Sequence, residues 1–146
     1  MSSGVKAVGD FTLATAEVLT SAGLKINIES NILSINLYED IQRSAVSGEI
    51  LLQDSGGFVS EGPIIGQEYL RLKIHTPSLK AESEVIDFSE NVFLINTVQN
   101  RTEVGNNVSV YLLTFTSSEI VKNQRVRIRG SLNGTYSDIV KQMLDK

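Results

Sequence analysis

Alternation of apolar and polar residues with a period of two constrains this chain more than any other feature of it. Such alternation places every second side chain on one face of an extended segment, which is how a half-buried β-strand is encoded. Leu24, Ile26 and Ile28 alternate with Lys25, Asn27 and Glu29, and Leu33, Ile35 and Leu37 alternate with Ser34, Asn36 and Tyr38. Ser30-Asn31 falls between these two runs as a polar turn, so the pair reads as a β-hairpin. A shorter strand follows over 48–53, then a Gly-rich loop from Asp54 to Gly66 containing Gly56-Gly57 and Gly62-Pro63. Leu70, Leu72 and Ile74 alternate with Arg71, Lys73 and His75 up to Pro77. Residues 92–98 and 108–116 are rich in β-branched and aromatic side chains, and 99–107 between them reads as the loop of an antiparallel pair. Arg125, Arg127 and Arg129 alternate with Val126 and Ile128 in a further strand. Thr12 to Thr20 is compatible with a strand or an extended arm.

Two helices interrupt the pattern. Ser118 to Lys122 reads as a single turn. Thr135-Tyr-Ser-Asp138 is a capping box in its Asp form, and Tyr136, Ile139, Val140, Met143 and Leu144 then fall on one helical stripe. No Gly or Asn cap closes this helix, which is expected to lead into a further domain. Seven to nine short strands with one closing helix predict a mainly β, antiparallel barrel or sandwich. The expected division is an arm or first strand over 1–23, a barrel over 24–134 and the closing helix over 135–146.

Composition removes most chemistry. The 146 residues include no cysteine and one histidine, His75, so disulfides, thiolate nucleophiles and multi-histidine metal sites are not expected. A net charge of −4 argues against a surface built to replace counterions on nucleic acid or to dock on anionic lipid. No apolar run reaches the roughly 18 residues of a membrane span, and Met1 to Asp10 lacks the pattern of a signal peptide. The chain is expected to assemble in the cytosol.

The remaining candidates do not converge. His75 lies on the polar side of its strand with Arg71 and Lys73, and reads as a solvated or interface histidine. Glu39 and Asp40 are sequence neighbours at a strand end and point to opposite faces, so they do not flank one bond. Glu82 and Glu84 occupy a polar loop and read as solvated. Asp54, between an apolar strand and the Gly-rich loop, reads as a turn-forming carboxylate accepting backbone N–H groups. The loop lacks the Gly-Lys-Ser/Thr ending and following helix of a phosphate cradle. The arginine row at Arg125, Arg127 and Arg129 has no aromatic interleaving that would suit single-stranded nucleic acid. Sequons at Asn100, Asn107 and Asn133 are no more than such a composition produces by chance. No catalytic residue, metal ligand or cofactor is assigned.

Taken in order, three segments carry a family resemblance. They are Ile-Asn-Leu-Tyr-Glu-Asp-Ile over 35–41, Val-Ser-Gly-Glu-Ile-Leu-Leu-Gln-Asp-Ser over 46–55, and Gly-Pro-Ile-Ile-Gly-Gln-Glu-Tyr-Leu-Arg-Leu over 62–72. With Tyr111 to Asn123, the arginine strand and the final helix, this order resembles the N-terminal region of baseplate hub proteins from T-even-type contractile phages. The resemblance covers about Thr12 to Lys146. It implies an antiparallel β-barrel of the phage tail-tube type, in which Tyr38, Glu39, Asp40, Gly48, Asp54, Pro63, Ile64, Gly66 and Glu68 are structural positions. Full-length hubs of this type carry two barrels per subunit, and three subunits form a ring of pseudo-sixfold symmetry between a hexameric tube and a trimeric spike.

The expectation is therefore a structural component of the virion tail baseplate, not an enzyme. Its partners would be further copies of itself (a trimer in the full-length hub), the tail tube protein and the central spike protein, with DNA only as cargo in a lumen. A carbohydrate- or receptor-binding β-module of the adhesin kind is the alternative.

Overall fold

The computed structural model describes residues 11–57, 64, 66–76, 84–105, 107–125, 127 and 131–144. Seven strands form one antiparallel sheet: β1 (Thr12–Leu19), β2 (Lys25–Asn27), β3 (Ile32–Tyr38), β4 (Ser47–Asp54), β5 (Tyr69–Thr76), β6 (Glu84–Glu103) and β7 (Ser109–Ser117). Their order is β2-β1-β5-β6-β7-β4-β3. The sheet curls into a half-barrel, and β2 and β3 are its edges among the described residues. Two short helices follow, α1 (Glu119–Arg125) and α2 (Tyr136–Leu144).

The alternation identified in the sequence works as expected along most strands. β4, β5 and β7 send Ile50, Leu52, Leu70, Leu72, Tyr111, Leu113 and Phe115 inward, where each is at most 1% exposed. Ala16 and Val18 on β1 and Phe93 and Ile95 on β6 complete a single apolar cluster. Thr12–Leu19 is thus a strand inside the sheet, held by β5 from Thr12↔His75 to Leu19↔Tyr69.

The expected β2–β3 hairpin does not form. β2 pairs with β1 and β3 pairs with β4, so these sequence neighbours lie at opposite edges of the sheet. The physical reason lies in the turn and in the distant strands it bonds to. A two-residue hairpin turn needs positive φ at its first central residue or at both, and neither Ser30 nor Asn31 has it. Instead the Asn27 side-chain oxygen accepts the Glu29 N–H at 2.8 Å and starts a 3-10 turn over Glu29–Asn31. Ile28, fully buried, donates its N–H to the Ala16 carbonyl, while the Asn31 amide donates to the Gln53 carbonyl. One turn thereby ties β1 to β4 across the mouth of the half-barrel.

Bulges bend the strands. On β3 a register shift between Ile32 and Ser34 turns Ile32 inward and leaves Leu33 54% exposed, so Leu33 is not the core residue that strict alternation predicts. On β6, Phe88 and Phe93 face Leu72 and Leu70, so extra residues loop out opposite Arg71. This bulge brings the Phe88 and Phe93 rings to 4.5 Å, and Phe93 then meets Phe115 at 4.8 Å, both tilted in the manner favoured by aromatic quadrupoles. β6 also runs further than expected, to Glu103, which shortens the loop before β7. There the Val104 N–H donates to the Val108 carbonyl at 2.8 Å, the Val108 N–H donates to the Gly105 carbonyl at 3.0 Å, and Asn107 takes φ +63°.

The strand expected at Arg125–Arg129 is also corrected at its start. Arg125 closes the helix α1, longer than the single turn expected, and Arg127 lies outside regular structure. Arg129 lies outside the described residues. The final helix forms where expected. The Thr135 hydroxyl accepts the Asp138 N–H at 3.3 Å and the Asp138 carboxylate accepts the Thr135 N–H at 3.2 Å, a reciprocal capping box. Its Tyr136 and Val140 side chains remain 91% and 55% exposed.

Gly48 is the tightest point of the sheet. It pairs with Leu37 on one side and Phe115 on the other. A Cβ at this position would collide with the Phe115 ring and lie 2.5 Å from the Asn36 carbonyl oxygen. Overpacking a well-filled core costs about 1–3 kcal/mol, so Gly48→Ala is expected to lose stability by at least that much. Equilibrium urea unfolding of the two proteins measures it, and an unchanged midpoint would contradict the packing described.

Candidate functional site

The residues singled out by sequence fall into three groups at the rims of the half-barrel. The first flanks the Gly-rich loop. Asp54 ends β4, is 4% exposed, and its Oδ1 accepts the N–H groups of Gly56 at 3.0 Å and Gly57 at 2.7 Å. This is the turn-forming role expected of it, and Gly57 takes φ +71°, which a Cβ would strain. Glu68 is fully buried just before β5, and its Oε2 accepts the N–H groups of Gly66 at 2.9 Å and Gln67 at 3.1 Å. Its own carbonyl accepts the Ile95 N–H, which anchors the loop end to β6. Two buried carboxylates thus grip the two ends of one loop. Ile64 packs half-buried against the core, and Pro63 lies outside the described residues.

A polar pocket of about 520 Å³ opens beside Asp54, lined by Gly56, Arg101, Glu103, Asn107 and Ser109 among others. Behind it stands the buried Tyr111, whose phenol is pushed well above its usual range by burial and then by the Asp54 charge. That phenol stays protonated at any physiological pH.

The second group lies on the β3–β4 connection at the opposite rim. Tyr38 donates to Glu49 at 3.2 Å on the outer face. Partial desolvation and Glu49 raise its pKa. Asp40 accepts the Gln42 N–H at 2.9 Å and meets Arg43 at 3.6 Å, an exposed pair of little energetic weight. Glu39 is exposed beside it. These residues shape the loop, and Glu39 and Asp40 line an open pocket together with Glu119. Val46 anchors the loop end: its carbonyl accepts the Ser117 N–H at 2.8 Å and the Thr116 hydroxyl at 3.3 Å. Ile41 projects fully from the tip.

The third group is the outer row of β5. Arg71, Lys73 and His75 are half-buried there. Lys73 reaches Asp87 on β6 at 2.8 Å. His75 pairs in register with Thr12 and Val85 and forms no triad with described residues. Among the described residues no group of three or more His, Asp or Glu side chains is placed to hold a metal ion. Glu82 lies outside the described residues, and Glu84, expected in a loop, instead opens β6, where it pairs with Thr76 of β5.

Sequence reasoning found Asp54 and missed the burial of Glu68. The signal available was the spacing Gly66-Gln67-Glu68, a carboxylate just after a glycine at the end of a loop, which repeats Asp54-Ser55-Gly56 in reverse. Deleting a buried acceptor costs about 1–3 kcal/mol. Asp54→Ala is therefore expected to speed amide exchange at Gly56 and Gly57, and Glu68→Ala at Gly66 and Gln67, with Asp54→Asn milder than Asp54→Ala. Exchange followed by NMR reads each end of the loop separately.

Asp87 carries a pH dependence. Its hydrogen bonds from Lys73 and Ser89 hold its carboxyl well below the usual carboxylate range. A depressed folded value means that the pair contributes fully above the unfolded value of about 3.9, and that the contribution fades as pH falls through the folded value. Asp87→Asn is therefore expected to reduce the acid sensitivity of unfolding below about pH 4 and to leave the pH 6–8 profile unaltered; thermal melts across that range test it. Comparison of the chain with protein-family models, with curated proteins and with solved structures finds no match.

Proposed function

We propose that this chain is a structural domain of a contractile injection machine, the baseplate hub domain that joins a phage tail tube to the central spike. The observation that carries the reading is one of order. The segments over 35–41 and 46–55 that resemble hub proteins fall on β3 and β4 with residues of the loop between them, and the described residues 66–72 of the third segment lead into β5, in one curled antiparallel sheet. The geometry at the candidate positions is in keeping with a structural role. Gly48, Asp54 and Glu68 are used for close packing and for holding loops, with their polar atoms turned to backbone N–H groups. In this reading the partners are further copies of the hub, the tube protein and the spike protein. The chain works in the virion tail baseplate after assembly in the host cytoplasm, and performs no catalysis.

The reading makes a direct prediction. An antibody against the chain is expected to label the baseplate end of tail particles in negative-stain electron microscopy, and the protein to co-purify with tube or spike proteins. A gene product that never enters tail particles would sink the proposal.

A further inference from the structure

The two edges of the half-barrel differ in how they are guarded. An edge strand offers a row of unpaired N–H and C=O groups, and soluble proteins blunt it by shortness, by lysine or proline, or by bulges. β2 has only three residues and carries Lys25. β3 has seven residues, Ile-Leu-Ser-Ile-Asn-Leu-Tyr, with no charge and no proline. Its one bulge lies at Ile32–Ser34, and from Ser34↔Leu51 to Tyr38↔Ser47 its pairing with β4 is unbroken. On its other side β3 has no partner strand among the described residues.

The direction of the free groups follows from the packing at Gly48. The Asn36 carbonyl is directed at β4, since it comes within 2.5 Å of a Cβ built on Gly48. Successive residues of an antiparallel strand point their N–H and C=O groups to alternate sides. Those of Ile35 and Leu37 therefore face away from β4, towards the open edge. The side chains carry a second message. Ile35 and Leu37 are half-buried on the inner face, while Ser34, Asn36 and Tyr38 are exposed on the outer one.

We infer that β3 is a pairing edge for a second copy of this chain, joined antiparallel about a two-fold axis at Asn36. In that register Ile35 faces Leu37 of the other copy and Ser34 faces Tyr38, so the apolar and polar rows both continue across the junction. The main-chain bonds run between Ile35 and Leu37, the residues whose groups are free. Asn36 then meets its counterpart as a non-hydrogen-bonded pair, with Cα atoms about 4.5 Å apart. No charge opposes a like charge on the two strands. The nearest acidic pair, Glu49 on each β4, is three strand spacings apart, roughly 14 Å, which exceeds the Debye length of ~8 Å in physiological salt. A segment of another polypeptide with this same alternation would satisfy the edge too; the second copy is favoured because β3 is its own complement on both faces. The inference is independent of the hub reading.

The test uses the whole 146-residue chain. Sedimentation velocity over roughly 1–200 µM, where mass action moves a weak dimer, is expected to show a concentration-dependent shift from monomer to dimer. Asn36→Lys opposes two like charges at the axis and is expected to weaken association by about tenfold or more. The same lysine sits on the exposed outer face, next to Glu49, so the far-UV spectrum should be unaltered. Because the chain has no cysteine, Asn36→Cys provides a second arm: mild oxidation is expected to give a disulfide-linked dimer, and Lys25→Cys on the guarded edge is expected to cross-link far more slowly. A parent protein that is monomeric throughout the range, a dimer unaffected by Asn36→Lys, or equal cross-linking of the two cysteine variants would each overturn the proposal.

Discussion

A single sheet with one apolar face must find something to bury that face against, and this half-barrel buries it against itself. Neither described helix packs broadly on the sheet, yet Val18, Ile50, Leu72, Ile95 and Leu113 are fully buried. Such burial from one layer requires strong curvature. Flat sheets cannot supply it, and strands acquire it through twist, bulges and close approaches at small residues. The register shifts on β1, β3 and β6 and the glycine at 48 are these devices. The β6 bulge does double duty. It bends the longest strand and folds Phe88 back onto Phe93, so that three aromatic rings fill the interior where opposing strands would otherwise leave a gap.

Curvature concentrates the remaining polar groups at the rims. A buried carboxylate needs partners for its oxygens, and Asp54 and Glu68 find them in the loop that each one begins or ends. Those hydrogen bonds reach residues one to three positions away, and the Glu68 carbonyl adds a tie to Ile95 on β6. On the outer face the interactions are lighter: the Lys73–Asp87 pair, Tyr38 with Glu49, and the Thr97 and Thr114 hydroxyls at 2.8 Å across β6 and β7. These keep the outer surface polar without defining a pocket.

What was legible in the sequence follows from which forces are local. Strands β4, β5 and β7, the Asp54 turn and the Thr135–Asp138 cap depend on neighbours within a few residues, and all are readable from alternation and capping rules. The β2–β3 pairing was misread because two adjacent alternating runs look the same whether they pair with each other or with distant strands. The choice rests on Ile28 bonding to Ala16 and Asn31 to Gln53, which no window around the turn contains. The Leu33 error has the same root, since a one-residue bulge reverses the face of every residue before it. The arginine alternation failed at Arg125 because Glu119 to Arg125 also reads as good helix-forming sequence, with Glu119 in the first turn. The burial of Glu68 was hidden because its tie to the sheet, the Ile95 N–H on β6, lies 27 positions away in the sequence.

The core and the open edge are not independent, and Gly48 is where they meet. It sits between Leu37 of β3 and Phe115 of β7. The Phe115 ring fills the space that a side chain on Gly48 would take, and the Asn36 carbonyl closes over the same spot. The hydrogen-bonded approach of β3 to β4 at this point therefore requires that residue 48 carry no side chain. A larger residue at 48 moves β3 outward or tilts it, and with it the free groups of Ile35 and Leu37. A smaller residue at 115 leaves the edge in place but removes the support beneath it. Stability and edge geometry thus pass through one contact, and a change there is felt at the exposed strand as well as in the interior.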